Sequence, residues 1–219
     1  MTMPGADPAA DLRLPANPWP GRLVVLEGPS RSGKSTMIGQ AFELADVHDL
    51  VTVMWNGHPV TRPVIAHLKT ERLLDPLSFS LAHLLDFALT YRHVVRPALA
   101  DGRTVLCDRY LYTAWVRDRL RGVDTDLLRA AAAQFVRPDH AFYLTATEEQ
   151  LRHRYRAQPE KYDFYGTGRD IAGSPTDREQ SFVRYQLAQA RLYEQLADQG
   201  HLLLLREPGQ LADALTQPH

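Results

Sequence analysis

Apolar residues in this chain fall into short runs typical of strands, separated by longer segments with helical spacing. The strand-type runs lie at 22–27, 50–55, 103–108, 141–144 and 202–205. Helical spacing predicts a helix that starts within residues 28–36 and runs to about residue 46. It predicts others around 64–73 and over 76–100, 112–121, 124–136, 148–157 and 177–199. Alternating strands and helices predict a three-layer α/β/α fold, with a parallel sheet of about five strands.

The longest periodic segment, 76–100, carries apolar residues at helical spacing. They are Leu77, Leu81, Leu84, Leu85 and Ala88. This stripe predicts a helix that packs on the core and ends at Asp101-Gly102.

Two segments lack periodicity. Residues 1–20 carry five prolines and no apolar core, which predicts a flexible arm ahead of a single domain at 21–219. Residues 158–175 contain three glycines, which predicts a mobile loop within a lid at about 152–178.

Composition narrows the function classes. A chain of 219 residues that is 44% hydrophobic is long enough for one well-buried domain. A net charge of −1 gives no overall field for nucleic acid or a membrane surface, so we expect neither as a partner. Cys107 is the single cysteine, and the first twenty residues resemble neither a signal peptide nor a membrane span. We therefore expect a cytoplasmic protein.

A glycine-rich loop follows the first predicted strand. Residues 28–36 read GPSRSGKST and fit the P-loop pattern G-x-x-x-x-G-K-[ST] between a strand and a helix. Backbone N–H groups in such a loop wrap a phosphate chain, and the two glycines permit the turn. Lys34 reaches the β- and γ-phosphates of a nucleotide, and the Ser35 hydroxyl can hold Mg²⁺. The predicted phosphate-binding residues are Gly28, Ser30, Arg31, Ser32, Gly33, Lys34, Ser35 and Thr36.

An acidic residue and a set of arginines extend this chemistry. Asp108 ends a strand as the P-loop does, so we expect it on the same rim, where it can orient Mg²⁺ or the acceptor. Capping of the following turn is the alternative role for Asp108. Phosphoryl transfer between two anions also needs positive charge around both. The candidates are Arg31, Arg92 and Arg109, and in the lid Arg152, Arg154, Arg156, Arg169 and Arg178. No N-K-x-D sequence is present, which argues against a regulatory GTPase.

From about residue 22 to 205, the chain resembles the thymidylate kinase family of P-loop nucleoside monophosphate kinases. The resemblance lies in the P-loop containing Arg31, in LLDFALTYR at 84–92, in DRY at 108–110 with Thr113, in RPD at 137–139 and in DREQSF at 177–182. Only the P-loop is specific alone; the order and spacing of the segments carry the resemblance.

For the donor side, the resemblance implies Arg31 on the phosphates of ATP and Arg152 or Arg156 near its base or phosphates. It implies Asp108 near Mg²⁺ and the acceptor. The catalytic set expected is Lys34, Arg31, Asp108 and Arg109.

For the acceptor side, the resemblance implies Arg92 and Arg109 on the acceptor phosphate and Thr113 in the acceptor pocket. Either His58 or Arg62, after the second strand, is expected to reach the acceptor.

Two positions depart from the family pattern. Ser30 stands where the family commonly has an acidic residue, and Ala88 stands four residues before Arg92, where an aromatic ring usually stacks on thymine. Phe87 is the neighbouring candidate, but one helical step turns it about 100° away.

These features predict an ATP- and Mg²⁺-dependent kinase that transfers the γ-phosphoryl group to a nucleoside monophosphate by direct in-line attack. A kinase of the same fold acting on a non-nucleotide small molecule is the first alternative, supported by Ser30 and Ala88. A non-catalytic nucleotide-binding module is the second, opposed by Lys34, Ser35 and Asp108.

Members of the family are often homodimers, so we expect a homodimer. Three apolar residues, Tyr112, Trp115 and Val116, form a possible interface, although burial in the core is the commoner fate of such a pattern.

Overall fold

In a computed structural model that describes residues 12–45 and 49–217, five strands form one parallel sheet. They are β1 (Leu23–Glu27), β2 (Leu50–Met54), β3 (Thr104–Asp108), β4 (His140–Tyr143) and β5 (Leu203–Leu204), in the spatial order β2-β3-β1-β4-β5. β1 is buried along its whole length, as expected for a central strand that is covered on both faces. The predicted α/β fold is confirmed.

Nine α-helices connect or flank these strands in the described part of the chain. They are α1 (Lys34–Leu44), α2 (Thr61–Thr70), α3 (Pro76–Thr90), α4 (Arg96–Ala100), α5 (Leu111–Leu120), α6 (Thr125–Ala132), α7 (Glu148–Ala157), α8 (Arg178–Asp198) and α9 (Pro208–Thr216). None of the described helices is both long and apolar enough to cross a membrane.

Alternate side chains of the strands enter two different cores. Leu23 and Val25 of β1 face a large cluster that contains residues of α3 to α6 and α8. Val24 and Leu26 face a smaller cluster with α1 and α9. The sheet therefore lies between two helical layers, and the ends of its strands stay free to carry a site.

The register of the strands brings the P-loop and Asp108 together. Leu26 pairs with Asp108 across β1 and β3, and the P-loop begins two residues after Leu26. The expectation that both lie on one rim of the sheet is confirmed.

The segment predicted as one core helix over 76–100 is divided. A π-helical turn, Tyr91–Val95, separates α3 from α4. Pro97 follows that turn, and a proline removes one backbone donor and crowds the carbonyl four residues earlier. Side chains after residue 90 therefore point in other directions than they would in an uninterrupted α-helix.

The predicted core stripe of α3 is also wrong in part. Leu77, Leu81 and Leu85 are 52%, 47% and 55% exposed. The buried residues of this helix are instead Phe79, Ser80, His83, Asp86, Phe87 and Thr90. Hydrophobic spacing marked the amphipathic helix correctly but not which side faces inward, because the buried side is largely polar.

Two segments predicted to be flexible are packed. From the predicted N-terminal arm, Leu12 is only 2% exposed and joins the large core, and the backbone N–H of Arg137 donates to the Pro15 carbonyl at 2.6 Å. The expected flexibility is therefore corrected from Leu12 onwards, and residues 1–11 lie outside the described part. The lid loop (residues 158–177) has no α-helix, but it buries Tyr162 and Tyr165.

Tyr112, Trp115 and Val116 are buried in the large core. Of the two roles considered for them, the structure supports core packing.

Candidate functional site

The P-loop forms a closed turn around the start of α1. Gly28 and Gly33 have φ values of 134° and 105°, which L-residues rarely adopt. A Cβ on Gly28 would also collide with the carbonyl oxygen of Leu144. These two glycines allow the loop to present its backbone N–H groups at the positive end of the helix.

Lys34 is buried inside this turn. Its Nζ donates to the carbonyl oxygens of Pro29 at 2.9 Å and Gly28 at 3.3 Å. Burial, and then the positive charge of Arg109, hold the pKa of Lys34 well below its usual value. A nearby anion stabilises the charged form of a buried ammonium group. This environment of Lys34 therefore favours an anionic ligand.

A cavity of about 560 Å³ opens over the loop. Its lining includes Ser30, Arg31, Gly33, Lys34, Ser35, Thr36, Asp108 and Arg109. Ser32, the remaining predicted P-loop residue, is buried beneath the loop, and its Oγ has no partner among the described residues. The structure thus brings the predicted phosphate-binding loop and the strand-end pair together.

Ser35 and Asp108 also line a second cavity of about 570 Å³, so the two cavities meet at these residues. Asp108 Oδ1 is buried and has no partner among the described residues. A hydroxyl and a carboxylate are the oxygen ligands that Mg²⁺ prefers. This pair therefore fits a magnesium ion bound beside a phosphate chain.

Glu27, the last residue of β1, was not identified from the sequence. Its carboxylate is buried and accepts hydrogen bonds from the backbone N–H of Tyr110 at 2.7 Å, from Thr113 Oγ1 at 2.6 Å and from Tyr193 Oη at 3.0 Å. Burial raises its pKa, although Arg109 and these hydrogen bonds oppose the shift. Glu27 fixes the start of α5, and the signal for it was an acid at the end of an apolar strand.

Arg109 lies between the P-loop and α5. Its Nη1 donates to the Gly28 carbonyl at 2.7 Å and to Thr113 Oγ1 at 3.3 Å. Its backbone adopts φ 78°, an unusual conformation for an arginine. Thr113 is fully buried, and its hydroxyl donates to the Glu27 carboxylate. Because the same hydroxyl oxygen accepts from Arg109, Thr113 helps to hold the Arg109 side chain in place.

Arg31 connects the P-loop to the lid loop. Its Nε donates to Tyr162 Oη and its Nη2 to Gln158 Oε1, both at 2.7 Å. Arg178 reaches the same place, because its guanidinium donates to the Tyr162 carbonyl. The lid loop is therefore held down over the phosphate-binding loop.

The arginine of α7 that reaches the P-loop is Arg154. Its Nη1 donates to the Arg31 carbonyl, and its side chain lines the 560 Å³ cavity. Arg152 and Arg156, which the resemblance favoured, pair instead with Glu179 at 3.1 and 2.8 Å. Arg152, Arg154 and Arg156 are two residues apart on α7, so their side chains point in different directions. The number of arginines in the sequence therefore does not predict which of them faces the P-loop.

Another lid arginine, Arg169, lies exposed, with its guanidinium 5.8 Å from the ring of Phe164. It lines neither of the two cavities that meet at Ser35 and Asp108.

Of the acceptor-side residues, His58 and Arg62 both line the 570 Å³ cavity, so the structure leaves both available. Phe87 is 1% exposed and stacks on Trp55 at 5.2 Å within the core. Arg92 is exposed on the π-helical turn and lines neither cavity. Neither Phe87 nor Arg92 has the placement that the sequence predicted.

The buried side of α3 carries His83 and Asp86, and neither residue lines the two cavities. Asp86 Oδ1 accepts hydrogen bonds from Thr61 Oγ1 at 2.5 Å and from the backbone N–H of His58 at 3.3 Å. Asp86 Oδ2, His83 Nε2 and Trp55 Nε1 are buried without partners among the described residues. Burial, and then the charge of Lys69, hold the pKa of His83 well below its usual value. Buried polar atoms without a partner are costly in a closed core.

Arg121, at the end of α5, was also missed. Its side chain is fully buried, and its Nε lies 2.6 Å from Asp170 of the lid loop. It also donates to Tyr185 Oη at 2.7 Å and to the Tyr165 carbonyl at 3.1 Å. This residue ties the lid loop to α5 and α8, and no sequence motif marks it.

Comparisons with known proteins bear on this arrangement. A family model described as thymidylate kinase matches residues 26–173. A probable thymidylate kinase 2 of Saccharolobus solfataricus is 33% identical over 181 residues, which covers 81% of this chain and 83% of that protein. A probable thymidylate kinase of Methanoculleus marisnigri is 35% identical over 138 residues, covering 58% of this chain and 64% of that protein.

Among solved structures, the thymidylate kinase from Ehrlichia chaffeensis matches with a TM-score of 0.62 at 16% identity. The match covers 90% of this chain and 99% of that one. At this identity the likeness establishes a shared fold.

Proposed function

Because this chain belongs to the thymidylate kinase family, and is thus an ATP-dependent phosphotransferase acting on a nucleoside monophosphate, we propose that its acceptor is thymidine monophosphate. The names of the matched relatives support this acceptor, and they do not favour a non-nucleotide one. The observation that carries the proposal is the junction of two cavities at Ser35 and Asp108. One cavity suits the phosphates of a donor, and the other leaves room for an acceptor beside them.

The residues of the chain act by position and charge. The P-loop backbone and Lys34 bind the donor phosphates, and Arg31 and Arg154 add positive charge where the transferred group carries its negative charge. The lid loop, fixed through Arg31 and Tyr162, keeps water from the transferred group. No nucleophilic side chain is required, since the acceptor oxygen attacks directly.

We propose that Ser35 and Asp108 hold Mg²⁺. When bound, this ion neutralises negative charge on the donor phosphates. This assignment is supported by Asp108 Oδ1, which is buried and has no partner in the described part of the chain.

The two departures from the family pattern lie outside the second cavity, because Ser30 lines the cavity over the P-loop and Ala88 packs against the large core. The backbone N–H of Ser30 donates to Gln186 Oε1 at 2.7 Å, which ties the P-loop to α8. On α3, Thr90 lines the second cavity, whereas Asp86 and His83 are buried and line neither cavity.

We further propose that the enzyme is a cytoplasmic homodimer. The exposed apolar stripe of α3, Leu77, Leu81 and Leu85, together with Val64 of α2, supports an interface between copies. The buried free thiol of Cys107 suits a reducing compartment.

The test is ADP formation from ATP and Mg²⁺ across a panel of nucleoside and deoxynucleoside monophosphates, with Lys34→Ala as the blank. Strong turnover of thymidine monophosphate supports the proposal. Preference for another monophosphate would keep the reaction and refute the acceptor. Silence on the whole panel, with ATP binding intact, would refute the nucleotide as acceptor.

A further inference from the structure

A third cavity, larger than the two at the P-loop, lies at the other edge of the sheet. Its volume is about 810 Å³, and His140 and Leu203, the first residues of β4 and β5, line it. The P-loop follows the carboxyl end of β1, so one strand length, roughly 15 Å, separates this cavity from the phosphate-binding loop. No described residue lines both this cavity and either of the other two.

The segment ahead of β1 forms one wall of this third cavity. Leu12 is 2% exposed and belongs to the large core. The Pro15 carbonyl accepts from the backbone N–H of Arg137 at 2.6 Å, and Asn17 Nδ2 donates to Asp139 Oδ2 at 3.2 Å. Burial and hydrogen bonds therefore fix this wall against the residues that lead into β4.

Two polar side chains at the third cavity have no partner. Tyr112 is 1% exposed and lines the cavity, and its hydroxyl makes no hydrogen bond to any residue that the structure describes. Burial raises the pKa of Tyr112, so the hydroxyl stays protonated and can donate. Arg137 lines the same cavity, and within the described ranges its guanidinium has neither a hydrogen bond nor an ion pair. A bound ligand could satisfy both groups.

The charged groups of the third cavity favour an anion. Asp139 is the one carboxylate among the described residues that line it, and its Oδ2 accepts from the backbone N–H of Leu23 at 2.8 Å and from Asn17. Two arginines, Arg13 and Arg137, line the cavity against this single acid. A guanidinium offers paired donors that match the oxygens of a phosphate or carboxylate group.

Apolar and aromatic surface lies beside these charges. The ring centroids of Tyr112 and His201 are 6.5 Å apart at an interplanar angle of 48°, and Leu12, Leu14 and Ala141 also line the cavity. Such a surface suits a flat ring, and about 810 Å³ falls within the 300–1,000 Å³ range that is usual for small-molecule sites.

We propose that the third cavity binds a nucleoside phosphate at a site separate from the catalytic one. Arg137 binds the phosphate group, the Tyr112 hydroxyl donates to a polar atom of the ligand, and the base lies against the apolar part of the lining. A nucleoside phosphate combines the anion and the flat ring that this lining calls for. The inference does not depend on which monophosphate the enzyme phosphorylates, because no residue of this site belongs to the catalytic one.

The test titrates the full-length protein with ADP, with adenosine as the probe that lacks phosphate and inorganic pyrophosphate as the probe that lacks the ring. The readout is the imidazole NMR signals of His140 and His201, assigned with the variants His140→Gln and His201→Gln. Both rings line the third cavity, so their shifts report ligand there even though ADP also binds at the P-loop.

The unaltered protein is compared with Arg137→Gln and Tyr112→Phe. The matched control is Arg206→Gln, which alters an exposed arginine that lines none of the three cavities. The KM for ATP is measured for each protein as a readout of the catalytic site.

ADP should shift both histidine signals to saturation. Arg137→Gln should weaken this binding about 10- to 100-fold, as expected for a lost charge-assisted hydrogen bond, and Tyr112→Phe roughly 3- to 10-fold. Arg206→Gln should bind like the unaltered protein, and adenosine and pyrophosphate should each bind more weakly than ADP. Because Arg137 is exposed, its replacement should leave the melting temperature and the KM for ATP unchanged.

Histidine signals that do not respond to ADP would overturn the inference, as would equal ADP affinity in Arg137→Gln and the unaltered protein. Pyrophosphate binding as tightly as ADP would exclude a nucleoside phosphate as the ligand class. A rise in the KM for ATP that matches the loss of binding in Arg137→Gln would also overturn the inference, since the shifts would then originate at the catalytic site.

Discussion

The ion pair between Arg121 and Asp170 should hold the lid loop closed. The two side chains are 0% and 9% exposed and their atoms lie 2.6 Å apart. Arg121 also lies 4.0 Å from the ring of Phe79 on α3, so its charge is enclosed by protein on several sides. Asp170→Asn keeps the shape of the side chain and removes its charge.

The expected cost is large because Arg121 would remain buried without its counter-charge. Removing one partner of a buried pair typically costs about 3–5 kcal/mol, and the retained amide oxygen places this change near 3 kcal/mol. The matched control is Asp126→Asn, in a pair with Arg129 that is 84% and 39% exposed. An exposed pair of this kind contributes about 0–0.5 kcal/mol.

Hydrogen–deuterium exchange can separate the lid loop from the rest of the domain. A loss of about 3 kcal/mol should speed exchange of backbone amides at 162–175 by roughly 100-fold and leave those of β1 and β3 unchanged. A looser lid should also raise ATP hydrolysis without acceptor, since water can then reach the transferred group.

Two results would refute this reasoning. Unchanged exchange at 162–175 would mean that the pair does not hold the lid loop. Equal acceleration throughout the chain would mean that it supports the whole domain. In Asp126→Asn, we expect neither the lid exchange nor the hydrolysis rate to change.

Three further predictions concern other parts of the molecule. Gly28→Ala should abolish nucleotide binding, because a Cβ at φ 134° would collide with the Leu144 carbonyl; ATP affinity close to that of the unaltered protein would contradict this. Burial raises the pKa of Asp118 to about 6 from 3.8, so the stability linked to its protonated form is present below pH 3.8 and lost as pH rises through 6. Asp118→Asn should therefore stabilise the protein by about 1–3 kcal/mol at pH 7 and little at pH 4 in urea unfolding, whereas a pH-independent difference would exclude the raised pKa. Leu81→Glu, on the exposed stripe of α3, should shift sedimentation from dimer to monomer without loss of melting temperature, and an unchanged sedimentation coefficient would place the interface elsewhere.

The fold was accessible from the sequence because its signals are local. Five apolar runs, the helical spacing between them and the P-loop pattern each depend on residues close together in the chain. The rule that parallel strands share a rim then placed Asp108 beside the P-loop, and the register of β1 and β3 agrees.

Polar residues inside the structure were harder to predict. The leucines of α3 marked an amphipathic helix, but its buried side carries His83 and Asp86. Hydrophobic spacing assigns the apolar side of a helix to the core, and it fails for a helix whose buried side is polar and whose exposed side is apolar.

The sequence by itself determined the sheet, the phosphate-binding loop, its lysine and the strand-end Asp108, since fixed spacing and strand order specify them. Only the tertiary structure decided which arginine of α7 faces the site, namely Arg154 rather than Arg152 or Arg156. Which of several arginines faces the site depends on three features of the folded chain. They are the direction of each side chain around its helix, the shift introduced by a π-helical turn, and the contacts between distant elements. None of these is encoded in residue type, because an arginine in solvent and an arginine facing a phosphate look the same in a sequence.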